Sequence, residues 1–132
     1  SLGASVRAAS IWSTVSPDIE QQVKHYSKDD AQAMTWLQDL EKELEAAGSP
    51  TDLYQHQPSA YLESLAPLNI QHARGDIRSV SYQWSVSLAE TLARLDKNHQ
   101  FFSYEGDDHL FADDNRILAL QRDVDWFRQH LQ

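Results

Sequence analysis

Three short, mostly apolar runs alternate along this chain with three longer stretches whose apolar residues recur at helical spacing. Few architectures accommodate such an alternation. The first run, Val6-Arg7-Ala8-Ala9-Ser10-Ile11-Trp12-Ser13, is stopped by Ser16-Pro17-Asp18. A second, Leu65-Ala66-Pro67-Leu68-Asn69-Ile70-Gln71-His72, gives way to Ala73-Arg74-Gly75-Asp76. The third, Gln100-Phe101-Phe102-Ser103-Tyr104, ends at Glu105-Gly106-Asp107-Asp108. Short apolar runs bounded by turn formers suit strands buried on both faces, as parallel strands are.

Between and after these runs the spacing changes to that of helices. Ser27 and Asp30 read as a capping pair ahead of Ala33, Leu37, Leu40 and Leu44, with Gly48 and Pro50 closing the helix. The polar stretch through Lys28 reads as irregular or weakly helical. Residues 49–63, with two prolines and several turn formers, read as a connection. Trp84, Leu88, Leu92 and Leu95 form a stripe over Ser81–Asp96, and Ile117, Leu120, Val124, Phe127 and Leu131 form another from Asp113 to the end. Alternation in this order predicts an α/β fold with parallel strands and right-handed helical crossovers. A sheet of three strands is narrow for a doubly wound fold, so the pattern reads as part of a larger sheet.

With 132 residues the chain is long enough for one domain with a core. Its formal charge of −9 repels phosphate backbones and anionic lipid, so neither nucleic acid nor membrane is an expected partner. The residues before Val6 lack the basic start and long apolar centre of a signal peptide. There is no cysteine, hence no disulfide, thiolate metal site or thiol nucleophile. A reducing, cytoplasmic setting is the expectation that fits.

In open α/β sheets, functional groups gather in the loops beyond the carboxyl ends of the strands. Two of those loops here carry titratable groups. One holds Asp76 after the second strand, and the other holds His109 after the third. If the strands are neighbours, a carboxylate and an imidazole lie together. A carboxylate accepting from Nδ1 fixes the imidazole tautomer and stabilises the imidazolium. A capping aspartate and an ordinary loop histidine would show the same spacing.

The same two loops carry a family resemblance. Pro67-Leu68-Asn69-Ile70-Gln71-His72-Ala73-Arg74-Gly75-Asp76, with Val80 and Ser85 following, resembles the acid loop of prolyl oligopeptidase-type serine hydrolases. That loop runs strand, His-Gly, two residues, Asp, then a valine and a helix. Phe102-Ser103-Tyr104-Glu105-Gly106-Asp107-Asp108-His109-Leu110-Phe111 resembles the family's Tyr-x-Gly-x-x-His-x-Phe histidine loop. Acid first, histidine later and a closing amphipathic helix follow the family's order. The likeness covers residues 58–132, with residues 6–13 matching more loosely the strand after the nucleophile helix. Two departures stand out: Ala73 occupies a usual glycine position, and Ile77-Arg78-Ser79 adds one residue before Val80.

The resemblance implies that residues 1–132 form the C-terminal portion of an α/β-hydrolase catalytic domain, with an excursion at about 14–60 between core strands. Asp76 would orient His109, and His109 would act as base and then acid, with no cofactor or metal. The substrate would be a peptide or an ester, and the N-terminal remainder of a parent chain would be the missing partner. An esterase or lipase of the same fold is the first alternative, and a non-catalytic interaction module the second.

A serine hydrolase needs the nucleophile elbow Gly-x-Ser-x-Gly. The four glycines, Gly3, Gly48, Gly75 and Gly106, nowhere form it. Ser1-Leu2-Gly3 could end such an elbow, but a strand starting by Val6 leaves no room for the helix that must follow. The chain alone is therefore expected to be inactive. It is also expected to expose a bare strand edge and to form a homodimer or aggregate. Asp107, Asp108 and His109 are adjacent, and adjacent residues rarely converge on one ion. His56, His72, His99 and His130 lack the spaced partners of zinc ligands. Trp12, Trp36, Trp84 and Trp126 read as packing residues, and the helix at Ala31–Ala47 as either a pocket roof or simple surface packing.

Overall fold

A computed structural model describes residues 5–76 and 79–132. The chain divides into two compact units. One comprises the described residues up to Val15 together with Glu63–Gln132, and the other is Ser16–Leu62.

The first unit is an α/β layer. β1 (Ala9–Trp12), β2 (Leu68–Ala73) and β3 (His99–Tyr104) form a parallel sheet in the order β1-β2-β3. Register is fixed by Ile11 opposite Ile70 and by Ile70 opposite Phe101. All six residues of β2 are buried, as the central strand of a covered parallel sheet must be. Its side chains alternate between faces. His72 bonds Ser85 of α3 (Tyr82–Arg94), whereas Asn69 and Gln71 bond Asp123 of α4 (Asp113–His130). Helix α3 packs on β2 and β3 through Trp84, Ser85, Leu88, Ala89 and Leu92, much as its apolar stripe predicts.

Helix α4 meets the sheet through a different face from its apolar stripe. Ala119 and Trp126 are buried, and Asp123 gathers four donors from the sheet. Its Oδ1 accepts from the Ser10 hydroxyl, from Asn69 Nδ2 at 2.8 Å and from Gln71 Nε2 at 2.6 Å. Its Oδ2 accepts from the Trp12 indole at 2.8 Å. Ile117, Leu120, Val124 and Leu131 are consequently exposed. The polar side chains of β1 and β2 favour this orientation, because turning Asp123 away would leave them buried without partners.

The second unit holds α1 (Ile19–Tyr26), α2 (Asp30–Ala46), a short 3-10 turn at Leu53–His56 and all but the last two residues of another, Pro58–Ser64. Here local chemistry corrects the sequence reading twice. The stretch before Lys28 forms a regular helix, because the Asp18 carboxylate caps it by accepting from the Gln21 amide. Helix α2 is capped by Asp29, which accepts from the Gln32 amide at 2.7 Å, while Ser27 terminates α1. Gly48 ends α2 at φ 68°, the left-handed conformation that glycine adopts without a Cβ clash. Trp36 is exposed on α2, contrary to its expected packing role. Among the described residues, no helix is long and apolar enough to cross a membrane.

Candidate active site

The carboxyl ends of β2 and β3 point the same way, and the loops leaving them are tied together. Beyond Ala73 the chain turns tightly, the Asp76 amide donating to the Ala73 carbonyl at 3.2 Å. Within that turn, a Cβ on Gly75 would lie 2.3 Å from the Asp107 carbonyl oxygen. Only glycine lets the two backbones approach so closely. Arg74 adds a second tie, its guanidinium 2.5 Å from Glu105 and its Nε 3.3 Å from the Ser103 hydroxyl.

The loop after β3 is anchored by Phe111. Its buried ring stacks on Trp12 at 5.1 Å and tilts against Tyr104 at 4.9 Å. Gly106 takes φ 77° at the start of the loop, and the Asp108 carboxylate accepts from the Leu110 amide at 3.1 Å. Between these fixed points, His109 is turned back over the end of β2.

The result is a carboxylate–imidazole pair. Nδ1–H of His109 donates to Oδ2 of Asp76 at 2.7 Å. Asp76 is 2% exposed, whereas the His109 side chain is 41% exposed. The other carboxylate oxygen accepts from the Ser79 and Val80 amides at 3.2 and 3.1 Å. Burial alone pushes the Asp76 carboxyl up. The hydrogen bonds from His109 and the Val80 amide, with both imidazoles beside it, outweigh burial and hold it below the usual carboxylate range. Asp76 is thus an anion fixed at both oxygens.

A further residue belongs to this cluster. His72, fully buried near the end of β2, has its Nδ1 2.6 Å from the Ser85 hydroxyl and its Nε2 3.5 Å from Oδ2 of Asp76. Burial pushes its imidazole down, against the opposite pull of Asp76 and the Val80 carbonyl. Sequence reasoning set His72 aside for want of a spaced metal partner. The available signal was parity: His72 shares a strand face with Leu68 and Ile70, and that face meets α3.

The arrangement leaves Nε2 as the His109 nitrogen able to exchange a proton, with a fixed anion behind the ring. Among the described residues, no group of three or more His, Asp or Glu side chains is arranged to hold a metal ion. Ser1, weighed as a nucleophile, lies outside the described residues, as does the Ile77-Arg78 part of the lengthened acid loop. No protein-family model matches the chain, and no curated protein matches it. Fold and site together define an α/β unit with a carboxylate–imidazole pair beyond the carboxyl ends of adjacent parallel strands.

Proposed function

We propose that this chain is the C-terminal part of an α/β-hydrolase catalytic domain of the prolyl oligopeptidase type. It supplies the acid and histidine of a serine peptidase acting on short peptides. The observation that carries this reading is the 2.7 Å bond from an accessible His109 to a buried, amide-bonded Asp76. Loop-to-loop ties position both partners, as a triad requires. The motif resemblance around them supplies the reaction class.

In this reading a serine from the N-terminal remainder of the parent chain attacks the substrate carbonyl. Nε2 of His109 takes the hydroxyl proton as the C–O bond forms, and Asp76 stabilises the resulting imidazolium. Collapse of the tetrahedral intermediate breaks the C–N bond, and His109 returns the proton to the leaving amine. Water then attacks the acyl-enzyme, losing a proton to His109, and as the C–O bond to serine breaks His109 returns that proton to the serine oxygen. An ester would pass through the same steps with an alcohol as leaving group, so the pair serves an esterase equally well.

The test uses the parent chain and a fluorophosphonate probe. Labelling of one serine, lost in His109→Ala, is the expected result. Asp76→Asn should keep the fold and lower turnover by about four orders of magnitude, because it favours the wrong tautomer. A parent chain that is not labelled, or is labelled equally well in His109→Ala, defeats the reading.

A further inference from the structure

Asp76 has an imidazole on each side. His109 donates to its Oδ2 from the exposed side at 2.7 Å, and Nε2 of His72 stands 3.5 Å from the same oxygen on the buried side. That second separation is longer than an ordinary hydrogen bond, yet it is too close for the ring's protonation to be immaterial. A lone pair facing a buried anion would repel it, and an N–H would attract it.

The surroundings of His72 decide which is present. Its Nδ1 lies 2.6 Å from the Ser85 hydroxyl, a group able to donate as well as accept. Its Nε2 is buried without a hydrogen bond of normal length among the described residues. The group facing it, the Asp76 carboxylate, only accepts. A proton on Nε2, with the Ser85 hydroxyl donating to Nδ1, satisfies both contacts at once. Tyr82 of α3 meets the ring edge-on at 5.6 Å, and Arg74 lies over Tyr82 at 5.9 Å. Across the sheet, His72 is in register with Ser103, and a charge on His109, which bonds the same carboxylate, opposes protonation of His72. A second full positive charge at this depth would sit in a fully buried pocket.

We propose that His72 is a positioning residue of this site. It is held neutral as the Nε2–H tautomer and directs that N–H at Asp76 Oδ2, so that the oxygen receiving His109 is fixed from both sides. The chain of contacts runs Ser85, His72, Asp76, His109, from the crossover helix to the solvent-facing imidazole. The role offered for His72 rests on the hydrolase reading, but its protonation state does not.

The test is nuclear magnetic resonance on this chain, labelled with carbon-13 and nitrogen-15. Long-range proton–nitrogen correlations read each imidazole's tautomer, and the Asp76 carboxyl carbon reads its titration. The expected result is an Nε2–H ring at His72 that stays neutral where an ordinary imidazole, with a pKa of about 6.5, already takes a second proton. In His72→Phe the Asp76 midpoint should rise by about half a unit, roughly threefold in protonation constant. His72→Gln, whose amide can donate, should bring it back. A proton on Nδ1, a doubly protonated ring at pH about 6, or an unmoved Asp76 midpoint in His72→Phe overturns the inference. The tautomer is read on the wild-type chain, so the inference remains exposed to refutation even if His72→Phe does not fold. Failure here is separable from failure of the hydrolase reading. An Nε2–H ring in a parent that no fluorophosphonate labels keeps the first and removes the second, and the opposite pair of results does the reverse.

Discussion

The Asp107 carbonyl oxygen lies 2.3 Å from where a β-carbon on Gly75 would stand. Backbone atoms line that contact, so no side chain can swing aside to relieve it. Gly75→Ala must push the acid loop away from the histidine loop. We expect a loss of about 1–3 kcal/mol in stability, the usual scale of overpacking. The His109 ring should also relax to mixed tautomers as Asp76 withdraws. Chemical denaturation and imidazole nitrogen shifts measure the two effects. Wild-type stability with an unchanged Nδ1–H tautomer would contradict this.

Asp123 is the only α4 side chain seen to accept from Ser10, Trp12, Asn69 and Gln71 among the described residues. Removing it strands several donors under the helix. Asp123→Ala should cost about 3 kcal/mol or more, since each buried unsatisfied group costs about 1–3 kcal/mol. Urea unfolding followed by tryptophan fluorescence reads the change, and Trp12 sits in the network itself. A loss below about 0.5 kcal/mol, the range of ordinary surface substitutions, would show that water replaces the carboxylate without penalty.

Acid should destabilise the first unit in two stages, both of the same sign. His72 has a lowered folded pKa, chiefly through burial. Below about pH 6.5 the unfolded chain takes a proton there that the folded chain refuses, so stability falls as pH drops. Asp76 is likewise held low in the fold, by hydrogen bonds that outweigh its burial. Its contribution is complete above about pH 3.9 and is lost as pH falls through the folded value. Urea midpoints recorded against pH should therefore decline first below about 6.5 and again below about 4. In His72→Gln the first decline should vanish. A flat profile between pH about 7 and about 5 would rule out a buried neutral His72.

The 132-residue chain alone should not hydrolyse esters or amides. It brings a positioned imidazole but no Gly-x-Ser-x-Gly elbow, and the nucleophile and oxyanion donor of such an elbow supply much of the rate. Nitrophenyl esters and aminoacyl chromogenic amides are the assay. Turnover above imidazole buffer that disappears in His109→Ala would show that a nucleophile is present after all.

Self-association is expected as well. β1 pairs only with β2 among the described residues, and α4 turns Leu120 and Val124 outward. An open strand edge beside apolar surface favours pairing between copies. Light scattering across a concentration series should show growth in mass, reduced in a Leu120→Glu, Val124→Lys double variant. A single monomeric species at every concentration would refute it.

The strands and crossover helices were legible because each carries one strong local signal. β2 is continuous and apolar enough to be central, and the α3 stripe matches the face that α3 buries. The pairing of Asp76 with His109 was legible from topology, since consecutive parallel strands open their loops at one end. The α4 orientation was not legible. Its apolar stripe argued for one face, and only the partner strands reveal that Ser10, Asn69 and Gln71 need a carboxylate opposite them. His72 was hidden for a similar reason: its partners, Ser85 and Asp76, lie on two different elements. The cap of α2 was misread because Asp29 competes with Ser27, which caps equally well in isolation.

The register of the sheet also sets a timetable for synthesis. Among the described residues, Ala9 meets no strand until Leu68 exists, whereas Leu68 pairs onward with His99. At about 5–20 residues per second, β1 leaves the ribosome several seconds before its neighbour. The crossover formed by β2, α3 and β3 closes over a shorter stretch of chain, so it has the lower loop entropy to overcome. Folding is then expected to start from the C-terminal half, with the first strand added last. During that wait β1 depends on something other than β2 to cover it, either chain made earlier or a chaperone at the tunnel exit.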